Sequence, residues 1–270
     1  MNQETSLTKI PQQPSPNTGL DDYETKPTVI QLIQTNHLNT YPNAVVGAFR
    51  DVAGSRNFVD ERNKPRPITI IPLAGLKQRV LFPSQELGVS PLCRSLDGEF
   101  PIIGKLAENF GLTPQHTDCK TCPMNDWSEY NDRHSLRYQA VPPCRERPRL
   151  LFVDLEDEMP YIITFTSKSI SPYRQLMQTI QRNITSDANK NKRNPNYTPY
   201  NLYDYAVNMS SQASVNAKGK FHVVYFEAPE RVAEPGKYYE FFDQYVVKPQ
   251  SKFGHNFVPQ DAGIEGKGNE

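Results

Sequence analysis

Read for the alternation of apolar and polar positions, the chain is quiet until about residue 43. Residues 1–42 are rich in Gln, Pro, Thr and Asn with no sustained period, which predicts a flexible tail. Val29-Ile30-Gln31-Leu32-Ile33 is a short apolar anchor within it. Ala44 to Phe49 (AVVGAF) predicts a first strand or strand entry. Pro67 to Leu73 (PITIIPL) is β-branched and bracketed by prolines, so it predicts a strand at an edge or a sheet start, because proline cannot donate to a central ladder. Val80-Leu81-Phe82 adds a short extended segment.

The pattern becomes regular after residue 148. Arg149 to Leu155 and Tyr161 to Thr166 read as two strands of a hairpin, with Glu156-Asp157-Glu158 as its acidic, solvated tip. Ser171-Pro172-Tyr173 predicts a helix start, with Ser as N-cap and Pro at the first helical position. Tyr173, Leu176, Met177, Ile180 and Ile184 then recur at three and four residues and give one apolar face, ending before Thr185. Tyr200 to Met209 predicts a long strand, Ser210 to Gly219 a connection, and Lys220 to Phe226 its partner strand. Gly236 to Val246 places Tyr238, Phe241, Phe242 and Tyr245 at helical spacing, and a polar tail follows over 247–270.

Several short strands with one well-marked helix between hairpins predict a mainly β, α+β domain over 43–246. A five-stranded Greek-key barrel of the OB type takes this order, with its helix between strands three and four. One or two packed helices and an insertion at 93–144 would decorate the barrel.

That insertion holds all four cysteines, Cys93, Cys119, Cys122 and Cys144. Cys119 and Cys122 form a CxxC, whose tight turn can aim two thiolates at one metal, and the outer two arrive from separate elements. Each outer cysteine is followed by arginine, Arg94 and Arg145. Four thiolates fit a structural zinc site, tetrahedral with Zn–S near 2.3 Å. A redox CxxC lacks its strand-then-helix context here, since Pro123-Met124-Asn125-Asp126 follows. Two disulfides would need an oxidising compartment. His116 or His134 could replace one cysteine as ligand.

Composition narrows the rest. The 270 residues carry 30 basic and 30 acidic side chains, so no global basic field announces nucleic acid. No apolar run reaches the length of a membrane span and the N-terminus lacks an apolar h-region, which predicts a cytoplasmic protein in a reducing compartment. There is no HExxH, Walker loop or GxSxG, and a site closed by four thiolates keeps no position for a reactive water. The expectation is therefore a protein that is not an enzyme.

The run Cys93-Arg94-Ser95-Leu96-Asp97-Gly98, then Cys119-Lys120-Thr121-Cys122-Pro123 with Trp127, then Pro142-Pro143-Cys144 resembles proteins of phages and mobile elements thought to bind single-stranded DNA. Pro160 to Leu176, with IITFTSKSISPYRQL within it, continues the resemblance, which covers 43–246. Phage helix-destabilising proteins also insert a zinc subdomain into an OB core, with three cysteines and a histidine, and the four cysteines here depart from that set. Single-strand binders of this kind often end in a strongly acidic tail, whereas Gln260 to Glu270 has only Asp261, Glu265 and Glu270, offset by Lys267.

The resemblance implies single-stranded nucleic acid as partner, DNA first, together with replication or recombination proteins and no membrane. Stacking candidates are Trp127, Tyr203 and Tyr225, because bases stack on rings while phosphates meet cations. Phosphate candidates are Arg133, Arg137, Arg145, Arg147 and Arg149 around the last cysteine, with Lys190, Lys192 and Arg193 in a polar loop. The alternative is a zinc-stapled scaffold of a replication or transcription assembly that touches no nucleic acid, which the balanced charge favours.

Overall fold

The computed structural model describes residues 27–52, 56–81, 93–95, 119–122, 144–217 and 219–248, with the backbone alone at 102–103. Among the described residues thirteen strands run in chain order: β1 Thr28–Leu32, β2 Phe49–Asp51, β3 Asn57–Phe58, β4 Ile68–Leu76, β5 Arg79–Leu81, β6 Cys93–Ser95, β7 Ile102–Ile103, β8 Cys144–Glu146, β9 Arg149–Asp154, β10 Pro160–Thr164, β11 Tyr205–Asn216, β12 Gly219–Phe226 and β13 Glu230–Arg231. Helix α1 spans Ile170–Lys190, and a single turn, α2, spans Tyr239–Phe242 before a π-helical turn at Asp243–Val247. The protein is mainly β, and its large sheet curls into a half-barrel. That sheet has the order β12-β11-β4-β9-β10-β1-β2-β3, with β13 beside β11; a small sheet has the order β7-β6-β5-β8.

The period-two alternation of the central strands sorts their side chains into two cores. Ile68, Ile70, Leu150, Phe152 and Ile163 point inward and meet Leu176 and Ile180 of α1. Ile71, Leu73, Leu151, Val153 and Ile162 point outward and are covered by Tyr238, Tyr245 and Val246. Burial on both faces is why β9 reads as an almost unbroken apolar run.

Several expectations change: residues 44–48 form turns with only Phe49 of that segment in a strand, and residues 200–204 are irregular and 3-10, so the expected strand there starts at Tyr205. β1 lies inside the expected 1–42 tail, because Thr28–Leu32 pairs in parallel with β10 and antiparallel with β2. Ile30 and Ile33 are buried there, so a five-residue apolar run gains a ladder on each side. β4 is central, between β11 and β9, although it contains Pro72. The β11 ladder covers only Ile68–Ile70, and the β9 register shifts between Pro72 and Ala74, so the missing N–H falls at a bulge.

Helix α1 starts before Ser171 and runs past Thr185 to Lys190. The Ser169 hydroxyl accepts the Val224 N–H at 3.1 Å and does not cap the helix. Pro172 is tolerated because first-turn N–H groups have no intrahelical partner. Finally, Ser210–Asn216 is strand, in register with Gly219–Tyr225, so most of the connection expected over Ser210–Gly219 is ladder.

The end of β1 reaches across to β12. The Gln34 side chain donates from Nε2 to the His222 carbonyl at 2.8 Å and accepts the His222 N–H on Oε1 at 2.8 Å, imitating a strand pair. Gly47 lies over the same spot with φ +86, its carbonyl accepting the Ser211 hydroxyl. A Cβ at Gly47 would stand 2.5 Å from the His222 ring. Gly47→Ala therefore combines left-handed strain with a clash, and should cost about 1–2 kcal/mol or more in denaturant unfolding. An unchanged midpoint would show that the seam gives way without cost.

Candidate nucleic-acid interface and thiol cluster

The small sheet positions the cysteines. Leu81 of β5 pairs with Cys93 on one side and with Cys144 on the other, so both thiols share its face. Two ladder spacings separate their backbones, about 10 Å. Cys119 and Cys122 bracket a turn, and Cys119 is buried. None of the four is in a disulfide.

The thiols lie within electrostatic reach of one another. Burial pushes Cys144 up to about 12; Arg79 works against it, while Cys122, Cys93 and Cys119 add to it. Burial, then Cys119 and Cys122, push Cys93 up to about 11. Among the described residues, however, no three His, Cys, Asp or Glu side chains converge into a group that could hold a metal ion. The four thiols share a neighbourhood without closing on a common centre.

The opposite face of the same three strands is cationic. Val80 pairs with Arg94 of β6 and with Arg145 of β8, which puts both guanidiniums on the side away from the thiols. Both arginines are exposed. Arg147 follows just beyond β8, and burial together with the nearby Arg145 lowers its pKa. Glu146 turns the other way and pairs with Arg174 of α1 at 2.6 Å.

The remaining candidates separate by location. Tyr225 is 43% exposed on the outer side of β12, in line with Val223 and Phe221. The ammonium of Lys168 stands 4.8 Å from the centre of the Phe221 ring. Tyr203, in contrast, is buried on the outer core against the rings of Phe242 at 5.1 Å and Tyr239 at 6.1 Å, so its faces are taken by the chain's own aromatics. Arg149 is only 1% exposed, set between Leu76 and Thr164 in the sheet, and presents no guanidinium to solvent. Both side chains are buried, Tyr203 from the short 3-10 turn Leu202–Asp204 and Arg149 from the first position of β9, so neither is presented to solvent, which corrects the expectation for each.

Lys190, Lys192 and Arg193 are exposed at the C-terminal end of α1 and in the turn after it. Cations there suit the negative end of the helix dipole whatever else they do. Trp127, Arg133, Arg137, His116 and His134 lie outside the described residues. At the hairpin tip the three carboxylates are all engaged, Glu156 with Arg66, Asp157 with Arg56 and Glu158 with Lys237 at 3.7 Å.

Sequence reasoning missed Arg94 and Phe221. For Arg94 a signal existed in the repeated Cys-Arg step at Cys93 and Cys144; for Phe221 it was the i, i+2, i+4 spacing with Val223 and Tyr225. Among the described residues no helix is long and apolar enough to cross a membrane. Compared with known proteins, the chain finds no match among family models, curated proteins or solved structures.

Proposed function

We propose that this chain is a non-catalytic, cytoplasmic single-stranded nucleic-acid-binding protein, DNA first, with an OB-type core and a zinc-stapled insertion. The observation that carries the reading is the strand connectivity. β4, β9 and β10 form a meander, α1 follows, and β11 returns antiparallel onto β4 with β12 beside it. This connectivity supports reading the core as a five-stranded Greek key with its helix between strands three and four. The cysteine insertion falls between strands one and two of that key, and β1 lies where strands three and five would meet. In OB barrels the loops between strands one and two and between strands four and five help bind oligonucleotides.

The donor set suits zinc, because thiolates favour a soft or borderline cation and Cys93, Cys119, Cys122 and Cys144 would supply four of them. Burial favours the neutral thiols of Cys93 and Cys144; a dication reverses that preference by stabilising the thiolates. Four protein ligands leave no open position, so the role assigned to the metal is structural. Tyr225 and Phe221 on β12 offer rings for stacking, worth about 1–3 kcal/mol per base. The resemblance of the cysteine segments supports a place in replication or recombination of a phage or mobile element.

Fluorescence anisotropy with a labelled oligothymidylate, titrated against salt, tests the reading. The expected result is micromolar or tighter binding that weakens steeply as salt rises. Absence of binding at low salt would overturn it and leave the scaffold, for which the zero net charge already speaks.

A further inference from the structure

Resting on that reading, we infer that the arginine-bearing face of the small sheet is where the phosphodiester backbone docks. Arg94 and Arg145 flank Val80 in register on the two strands beside β5, about 10 Å apart. Neither Arg94 nor Arg145 has a carboxylate partner among the described residues, whereas the neighbouring Arg174 does. Like charges brought together on a rigid sheet repel unless a counter-charge arrives, and a polyanion supplies one. Guanidiniums are also the donors that match phosphate oxygens two at a time.

The placement has a structural logic. The face that would hold the metal and the face that would hold the phosphates are the two sides of the same three strands. Cys93 precedes Arg94 and Cys144 precedes Arg145, so alternation along each strand sends the thiol one way and the guanidinium the other. Pinning the two thiols thereby fixes the spacing and direction of the two arginines. The Cys-Arg step, used twice, is a device for coupling a staple to an anion-binding face.

The variant Arg94→Gln with Arg145→Gln tests this, because both side chains are exposed and their removal should leave the melting curve unchanged. Binding to labelled oligothymidylate should fall about tenfold or more at moderate salt, with the log–log salt slope reduced by about 1.4, or about 0.7 for each lost single-strand phosphate contact. Arg94→Lys with Arg145→Lys should keep most of the slope. Wild-type binding with an unchanged affinity and slope in the Gln pair would overturn the docking face while leaving the single-strand reading intact. Failure of the wild type itself to bind would remove both. Competition by inorganic polyphosphate as effective, per charge, as by oligothymidylate would reassign the face to polyanions in general and overturn its assignment to nucleic acid.

Discussion

Purified under reducing conditions without chelator, the protein is expected to carry about one zinc per chain, and Cys93→Ser with Cys144→Ser is expected to lose it. Structural zinc sites contribute on the order of 10–16 kcal/mol of apparent binding free energy in small peptides. The two hydrophobic cores of this chain belong to the large sheet, and the thiols belong to the small one. The loss should therefore be local. Limited proteolysis of the variant, or of chelated wild type, should speed up between residues 93 and 144 while the main thermal transition persists. Metal analysis on the intact protein decides the matter directly. No zinc in the wild type would sink the metal reading, and a main transition that vanished with the metal would show that the large sheet depends on it.

The second large effect belongs to Phe165. It is fully buried between β10 and α1, its N–H donating to the Pro148 carbonyl at 2.8 Å. Its ring stacks on Tyr173 at 4.7 Å and meets Phe226 edge-on at 5.9 Å, so one side chain ties the helix to β12. Phe165→Ala removes both ring contacts and leaves a cavity in the inner core. A loss of about 3–5 kcal/mol is expected in urea unfolding. Since whole domains are stable by only about 5–15 kcal/mol, the variant should be close to unfolding at body temperature. A loss below about 1 kcal/mol would mean that the helix repacks freely and that the aromatic group is not its anchor.

The β9–β10 hairpin and the apolar face of α1 were legible because each carries its own period: Leu150 to Val153 alternate between two cores, and Tyr173, Leu176 and Ile180 recur on one stripe. β1 was not, since five residues in a polar stretch become a strand only when β10 and β2 lie beside them, far away in sequence. Ser210 to Asn216 has the composition of a loop, and only its ladder with β12 makes it strand. Pro72 suggested an edge, but a bulge absorbs its missing donor. The cysteine spacing pointed to a shared site, whereas the alignment of Cys93 and Cys144 across Leu81 is a matter of register. Register also decides which aromatic faces outward, because a shift of one residue reverses every side chain in a strand. Tyr225 faces outward on β12 by this rule, whereas Tyr203 sits in the turn Leu202–Asp204 before β11 and is packed into the outer core.

The Gln34 amide and the Ser169 hydroxyl have a consequence for how the molecule behaves when crowded. A terminal strand usually presents a row of vacant donors and acceptors, onto which another chain can add itself. On β12 the outward N–H and carbonyl of His222 and the outward N–H of Val224 are already occupied by side chains of the same chain. The middle of that edge is thereby occupied, so a further strand could pair there only by displacing the glutamine and the serine.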